Sequence, residues 1–361
     1  MWVEGKNLDQ KRGLSLPVDL VRTVAMVLVI VLHAASEPHS IVTQVTQAEV
    51  WRWWTVNIYD TVSRTSAPIF VMLSGALLLQ PSKIEPLGVF FRKRFNRIGL
   101  PFLFWGSAYF VWRFFVNHEA LSVGSIVQGI LSGPYYHFWY LYMLVGLYLL
   151  TPILRIVVAY GNRKILKYFL LVWFMGPAIV PLPALFGAYN LESNVFTIPW
   201  WAGYFLLGAY LLAVRMRRAI QYILLFFGFA LTAVGTYIVT LIVGGRLSLF
   251  FQDYFSPTTI LASVALLLLL YSVQAPSDRI ESQHPKTSWL LSQISQNTLP
   301  IYLFHPMILE SLQKGYFGFK ISINTLNPAI EIPLITAVTL FICLGLIIPS
   351  KKMPGVKRAI G

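Results

Sequence analysis

The chain alternates long apolar blocks with short basic connectors. Ten blocks stand out, at approximately 14–36, 56–80, 98–116, 138–160, 168–189, 196–214, 220–243, 257–275, 289–313 and 329–349. A helix needs about 20 mainly apolar residues, each rising 1.5 Å, to cross a bilayer, so every block predicts one spanning helix. Barrel strands are about ten residues long and alternate apolar with polar positions. Stretches such as Ala262–Tyr271 are instead apolar on every side. The predicted fold is therefore all-α, a polytopic integral membrane protein with about ten transmembrane helices. A single domain covers 1–361: an N-terminal segment at 1–13, a helical bundle at 14–349 and a basic tail at 350–361. No internal repeat is visible, so an inverted-repeat transporter gains no support.

Composition sharpens this picture. Hydrophobic residues make up 57% of the chain and charged residues 12%, whereas soluble domains carry about 25% charge. That balance excludes a soluble enzyme, a disordered chain and a disulfide-rich secreted domain. The single cysteine, Cys343, rules out an internal disulfide and any cysteine-ligated zinc or iron–sulfur site. No HExxH helix and no Gly-rich phosphate loop occurs, and no metal is expected.

Charge orients the bundle. With the N-terminus inside, only Arg52, Arg64, Arg113, Arg246, Lys314 and Lys320 of the 28 lysines and arginines fall in the outer half. The other 22 lie at inner ends, and the positive-inside rule puts both termini in the cytoplasm. The same bias accounts for the net charge of +14 without invoking nucleic acid, because the cations sit in short juxtamembrane connectors. The first block contains Asp19 and Arg22 and is too long for the apolar core of a signal peptide, which predicts an uncleaved span.

Ionisable side chains inside a membrane are costly, about 2.5–3.5 kcal/mol near the centre on insertion scales, and mark candidate sites. Asp19, Arg22, His33 and Glu37 fall on one helical stripe of the first block. Eleven steps of 100° bring His33 to within about 20° of Arg22, and about 25 Å from the inner end. The bland alternative makes Asp19 and Arg22 an i,i+3 ion pair and His33 a donor to a backbone carbonyl. His305, just before Pro306, reaches a similar depth in the ninth block, where it is either a site residue or a kink residue. Arg64 also lies in the outer half. Arg94 and Arg97 are one turn apart at the inner start of the third block. They read either as a topology anchor or as a forked pair suited to phosphate. The run from Gly133 to Tyr140 is rich in aromatics. It reads first as an interfacial belt; its rings, Trp139 and Tyr140 among them, also suit a sugar face.

These pieces, in order, resemble the membrane-bound acyltransferase 3 family. The matching motifs are Asp19-x-x-Arg22 with ten residues to His33, Ser66-Ala-Pro68 through Ser74-Gly75, Arg94-x-x-Arg97 with Pro101, His137-Phe-Trp139-Tyr140, and Ile301-Tyr302-Leu-Phe-His305-Pro306. The texture is most similar to the bacterial branch that O-acetylates surface polysaccharides, enterobacterial common antigen O-acetyltransferases included. The resemblance implies an acyl-coenzyme A donor, usually acetyl-coenzyme A, and a sugar hydroxyl acceptor on a polymeric or lipid-linked glycan. It implies His33 as the catalytic histidine, Arg22 as its motif partner, and Arg94 and Arg97 as holders of coenzyme A. It also implies residence in a bacterial cytoplasmic membrane, among lipids.

The expected function is O-acyl transfer from cytoplasmic acyl-coenzyme A to a glycan, with His33 as general base. Asp19 and Glu37 are candidates to orient or polarise that face. Arg64 and His305 are candidates for oxyanion or acceptor contacts, with Tyr140 and Trp139 on the acceptor side. A covalent acyl-enzyme on Ser66 or Ser74 stays open. The competing reading from another class is an exporter of a polysaccharide or lipid-linked precursor, since a polar stripe in a helical bundle serves transport too.

Overall fold

The computed structural model describes residues 16–36, 44–80, 85–176, 200–212, 214–273, 283–322, 325–353 and 355–361. Its helices are α1 (Leu16–Ala35), α2 (Val50–Ser63), α3 (Ser66–Leu78), α4 (Leu87–Phe115), α5 (Val123–Ser132), α6 (Trp139–Tyr160), α7 (Arg163–Phe174), α8 (Trp200–Leu211), α9 (Arg218–Ile242), α10 (Pro257–Tyr271), α11 (Pro285–Gln296), α12 (Thr298–Lys314), α13 (Pro328–Ser350) and α14 (Val356–Ile360). Among the described residues there is no strand, only an isolated bridge between Gln44 and Arg246. The chain is all-helical.

Every predicted block contains helix, but the blocks are not ten uniform spans. Among the described residues, five stretches are long and apolar enough to cross a membrane: 16–35, 50–78, 123–160, 218–242 and 328–350. The second block is interrupted at Arg64–Thr65, between α2 and α3. The ninth is broken at Asn297, between α11 and α12. α10 is apolar but has 15 residues. Much of the fifth block lies outside the described residues. α5, which precedes α6, is a helix that the block pattern missed.

Local chemistry sets several boundaries. Ser256 caps α10 by accepting from the Thr259 backbone N–H at 3.2 Å, and Pro257 follows where no N–H is needed. Asn327 and Pro328 open α13 in the same way. α12 ends at Gly315 with φ of 80°, a left-handed cap that suits glycine.

α1 is the central element. It packs against α2, α3, α10, α11, α12 and α13, and Val21, Ala25, Met26, Ile30 and Ala34 are fully buried. A helix enclosed on so many sides keeps its polar stripe inside the bundle. α9 is the opposite case. Ile223, Phe226, Phe227, Leu231, Ile238 and Leu241 are all exposed, an apolar face of the kind that lipid covers. α3 and α8 cross at backbone contact. A Cβ on Gly75 would lie 1.8 Å from the Phe205 carbonyl oxygen, and one on Gly208 would lie 1.8 Å from that of Met72. Small residues permit this approach where lipid supplies no hydrophobic drive between helices.

Candidate active site

Two polar clusters sit along α1, one at each end. The one at the C-terminal end of α1, termed outer after the expected orientation of the chain, is built around His33, which is half-buried. Its ring stacks on His305 with centroids 5.3 Å apart and meets the edge of Tyr136 at 4.9 Å. His305 is fully buried, with the His137 ring 5.9 Å away. Pro306 explains the His305 orientation. A proline has no N–H to give to the carbonyl one turn back, here that of Tyr302. His305 Nδ1 takes that carbonyl instead, at 2.8 Å, with the Ile301 carbonyl at 3.2 Å. Only a protonated Nδ1 can donate to carbonyls, so in the neutral ring Nε2 carries the lone pair. That Nε2 is buried and makes no hydrogen bond among the described residues.

A small, partly open cavity lies against this cluster. His33, Ser66, Trp139, Tyr140, Tyr254 and Tyr302 line it. Of the 133–140 run, Trp139 and Tyr140 turn toward this cavity, while Tyr136 is exposed. Trp139 lies 5.5 Å from Trp201 and 5.7 Å from Tyr254, while Tyr140 lies 5.3 Å from Tyr302. The reason is packing: Phe138 is fully buried and Tyr302 donates to the His137 carbonyl at 2.5 Å, so the turn is fastened to α12. Ser66 Oγ is buried without a hydrogen bond among the described residues, and Ser74 does not line the cavity.

Arg64 closes the outer cluster. It pairs with Asp60, one turn earlier, at 3.1 Å through Nη2 and 3.2 Å through Nε. Its guanidinium also lies 5.8 Å from the Tyr254 ring centre and is an electrostatic neighbour of His33. Asp60 is a residue that the sequence reading passed over, although its i,i+4 spacing to Arg64 was visible. His137 stands in the sequence within an aromatic run and a family motif, where it has no assigned role.

The inner cluster is cationic. Arg22 has Arg97, Asp19 and Tyr148 as its charged and titratable neighbours. Asp19 accepts a hydrogen bond from the Ser295 hydroxyl on α11. Arg94 is half-buried, with its guanidinium 5.0 Å from the Phe90 ring and 5.6 Å from that of Tyr148. Its Nε is buried without a hydrogen-bond partner among the described residues. Arg155 joins from α6, donating to the Leu78 carbonyl at 2.8 Å and pairing with Glu85 at 3.5 Å. Glu85 also accepts from Lys93 at 2.7 Å, and that hydrogen bond holds its carboxyl below the ordinary range. Arg22, Arg94 and Arg97 thus come from two helices to one place around Tyr148, whereas the motif resemblance paired Arg22 with His33. Arg22 and His33 are about 17 Å apart along α1 at 1.5 Å per residue. Glu37 lies outside the described residues.

Chemically, the outer cluster offers imidazole lone pairs and a guanidinium beside an aromatic-walled cavity. The inner cluster offers cations in excess of carboxylates, a setting for phosphate. A family model described as an acyltransferase domain, that of the acyltransferase 3 family, matches residues 17–348. No curated protein and no solved structure matches the chain.

Proposed function

The chain belongs to the acyltransferase 3 family, and from that premise we propose that it moves an acyl group, usually acetyl, from cytoplasmic acyl-coenzyme A to a hydroxyl of a cell-surface or lipid-linked glycan. The observation that carries this reading is the placement of two unlike clusters on one helix. Cations gather at Arg22 and bases gather at His33. Coenzyme A is an anionic nucleotide joined to a long thioester-bearing arm, and it matches that polarity. The buried, unsatisfied Nε of Arg94 fits a phosphate oxygen.

In this reading Arg22, Arg94 and Arg97 hold the phosphates. The face of α6 that carries Tyr148 and Tyr140, eight residues apart, leads from the arginines to the cavity. His33 accepts the proton of the acceptor hydroxyl. The hydroxyl oxygen bonds to the acyl carbon as the carbon–sulfur bond breaks, and His33 returns the proton to the departing thiol. Arg64 stabilises the negative charge that develops on the carbonyl oxygen. His305 Nε2, fixed as an acceptor, orients the donor or acceptor hydroxyl next to His33. Trp139, Tyr140 and Tyr254 face the acceptor, where aromatic rings suit the apolar faces of sugars. Asp19 positions the inner end of α1 through Ser295.

We place about ten spans in the bacterial cytoplasmic membrane with both termini inside. Donor and acceptor then approach from opposite faces. The deciding experiment uses sealed vesicles with the cytoplasmic face outward, loaded with a glycan acceptor and given external radiolabelled acetyl-coenzyme A. Label on the enclosed glycan, absent with His33→Ala, is the expected result. No transfer by wild-type protein to any surface glycan of the host would overturn it.

A further inference from the structure

The basic cluster does not end at Arg97. α13 stops at Ser350, and the chain returns through Lys351 into α14, which packs on α4. There Ile360 is buried, and its carbonyl accepts from the Trp105 indole N–H at 3.3 Å. With α14 held on α4 in this way, Lys357 and Arg97 are electrostatic neighbours of Lys351. Burial first, then those two cations, hold the Lys351 ammonium below the ordinary lysine range. Lys357 itself is exposed, and so is Arg97. Arg97 therefore belongs to two groups of cations. One contains Arg22 and Arg94, which meet at Tyr148. The other contains Lys351 and Lys357 of the C-terminal return.

We infer that Lys351 and Lys357 form a second phosphate subsite, distinct from the arginine site, that takes the 3′-phosphate on the ribose of the coenzyme A donor. The inference rests on the donor reading above. Coenzyme A carries phosphate in two places, a diphosphate attached to the pantetheine arm and a single phosphate on the ribose. The arm has to enter at Tyr148 to reach the cavity, which keeps the diphosphate with Arg22 and Arg94. The ribose phosphate, farther from the arm, then falls at the other end of the cation cluster. The side chains suit this division. Forked guanidinium groups match the several oxygens of a diphosphate, while compact ammonium groups serve a terminal phosphate as point charges. A lipid headgroup phosphate shares this chemistry, and the test separates the two sources.

Full-length protein in phosphatidylcholine nanodiscs is titrated calorimetrically with coenzyme A and with dephospho-coenzyme A. Wild-type protein is expected to prefer coenzyme A by about tenfold or more, the effect of one or two charge-assisted contacts. Lys351→Gln with Lys357→Gln should remove the preference, leaving both ligands near the wild-type affinity for dephospho-coenzyme A. Lys357→Gln alone, at an exposed position, should remove part of it. Arg218→Gln, a basic change at the start of α9, should leave it intact. A preference that survives the double variant, or a wild-type protein without one, overturns the inference while the donor reading stands. Failure of wild-type protein to bind coenzyme A at all overturns both. In nanodiscs containing phosphatidylglycerol, a headgroup site would raise the melting temperature of wild-type protein but not of the double variant. That result with no ligand preference assigns the lysines to lipid and overturns the inference.

Discussion

The imidazole rings of His33 and His305 stack 5.3 Å apart, although they come from α1 and α12, more than 270 residues apart in the chain. Two stacked bases, of which His33 lines the cavity, need different duties, and the surroundings supply the difference. His305 is tied to backbone carbonyls through Nδ1, whereas His33 is half-buried on the cavity wall. His33→Ala is expected to lower glycan acylation by about 10²–10⁴-fold, with coenzyme A binding unchanged by calorimetry. His305→Phe keeps a ring but removes both nitrogens; it should lower the transfer rate and also melt earlier than wild type, because the buried Tyr302 carbonyl loses its Nδ1 donor. Near-normal transfer by His33→Ala would move the base elsewhere.

The Arg64–Asp60 pair separates stability from activity. Its side chains are 18% and 9% exposed, and removing one partner of a buried pair costs about 3–5 kcal/mol. Asp60→Ala should therefore melt well below wild type in detergent. Asp60→Leu combined with Arg64→Met replaces the pair with apolar bulk and should recover most of the stability. Acyl transfer should stay low in both, because the guanidinium is either misplaced or gone.

Gly75 is where α3 and α8 touch. Gly75→Ala puts a methyl 1.8 Å from a backbone oxygen that cannot move alone, so the helices must separate and yield of folded protein should fall sharply. Gly88→Ala meets nothing within 4 Å and should express like wild type. Size-exclusion profiles in detergent distinguish the two.

Arg94→Ala with Arg97→Ala should weaken coenzyme A binding at least about tenfold, since each charge-assisted contact is worth about 1.5–3 kcal/mol. Calorimetry on a double variant that melts normally checks this. Unchanged affinity would return the pair to an anchoring role at the membrane surface.

Topology is testable at two exposed positions, with Cys343→Ser removing the native thiol. An impermeant thiol reagent added outside intact cells should label Lys320→Cys and miss Lys352→Cys. The opposite pattern would invert the bundle and place His33 near the inner face.

Much of this arrangement was legible before any coordinates. The apolar blocks revealed the helices because a membrane span must be apolar over its whole length. The stripe from Arg22 to His33 survived because helical geometry fixes it without reference to neighbours. What sequence could not supply was which helices enclose α1. The partnership of His33 with His305, and the turning of Trp139 and Tyr140 toward a cavity, depend on contacts between distant segments. Asp60 lay in plain view at i,i+4 from Arg64, yet it gains meaning only once Arg64 is seen beside Tyr254. The interruptions at Arg64–Thr65 and Asn297 were hidden because hydropathy averages across them. α5 was overlooked because its polar face breaks the apolar run.

α1 carries Arg22 and His33 on one unbroken helix, and that makes it a ruler. The reach between the two is set by backbone hydrogen bonds rather than by loops that could relax. Inserting a single residue between them would turn His33 by about 100° away from His305 while moving it only 1.5 Å. Inserting four would nearly restore the angle but lengthen the reach by about 6 Å. Angle and length are thereby coupled in a way that point substitutions cannot probe. A series of one-to-four-residue alanine insertions would show which of the two the transfer reaction obeys.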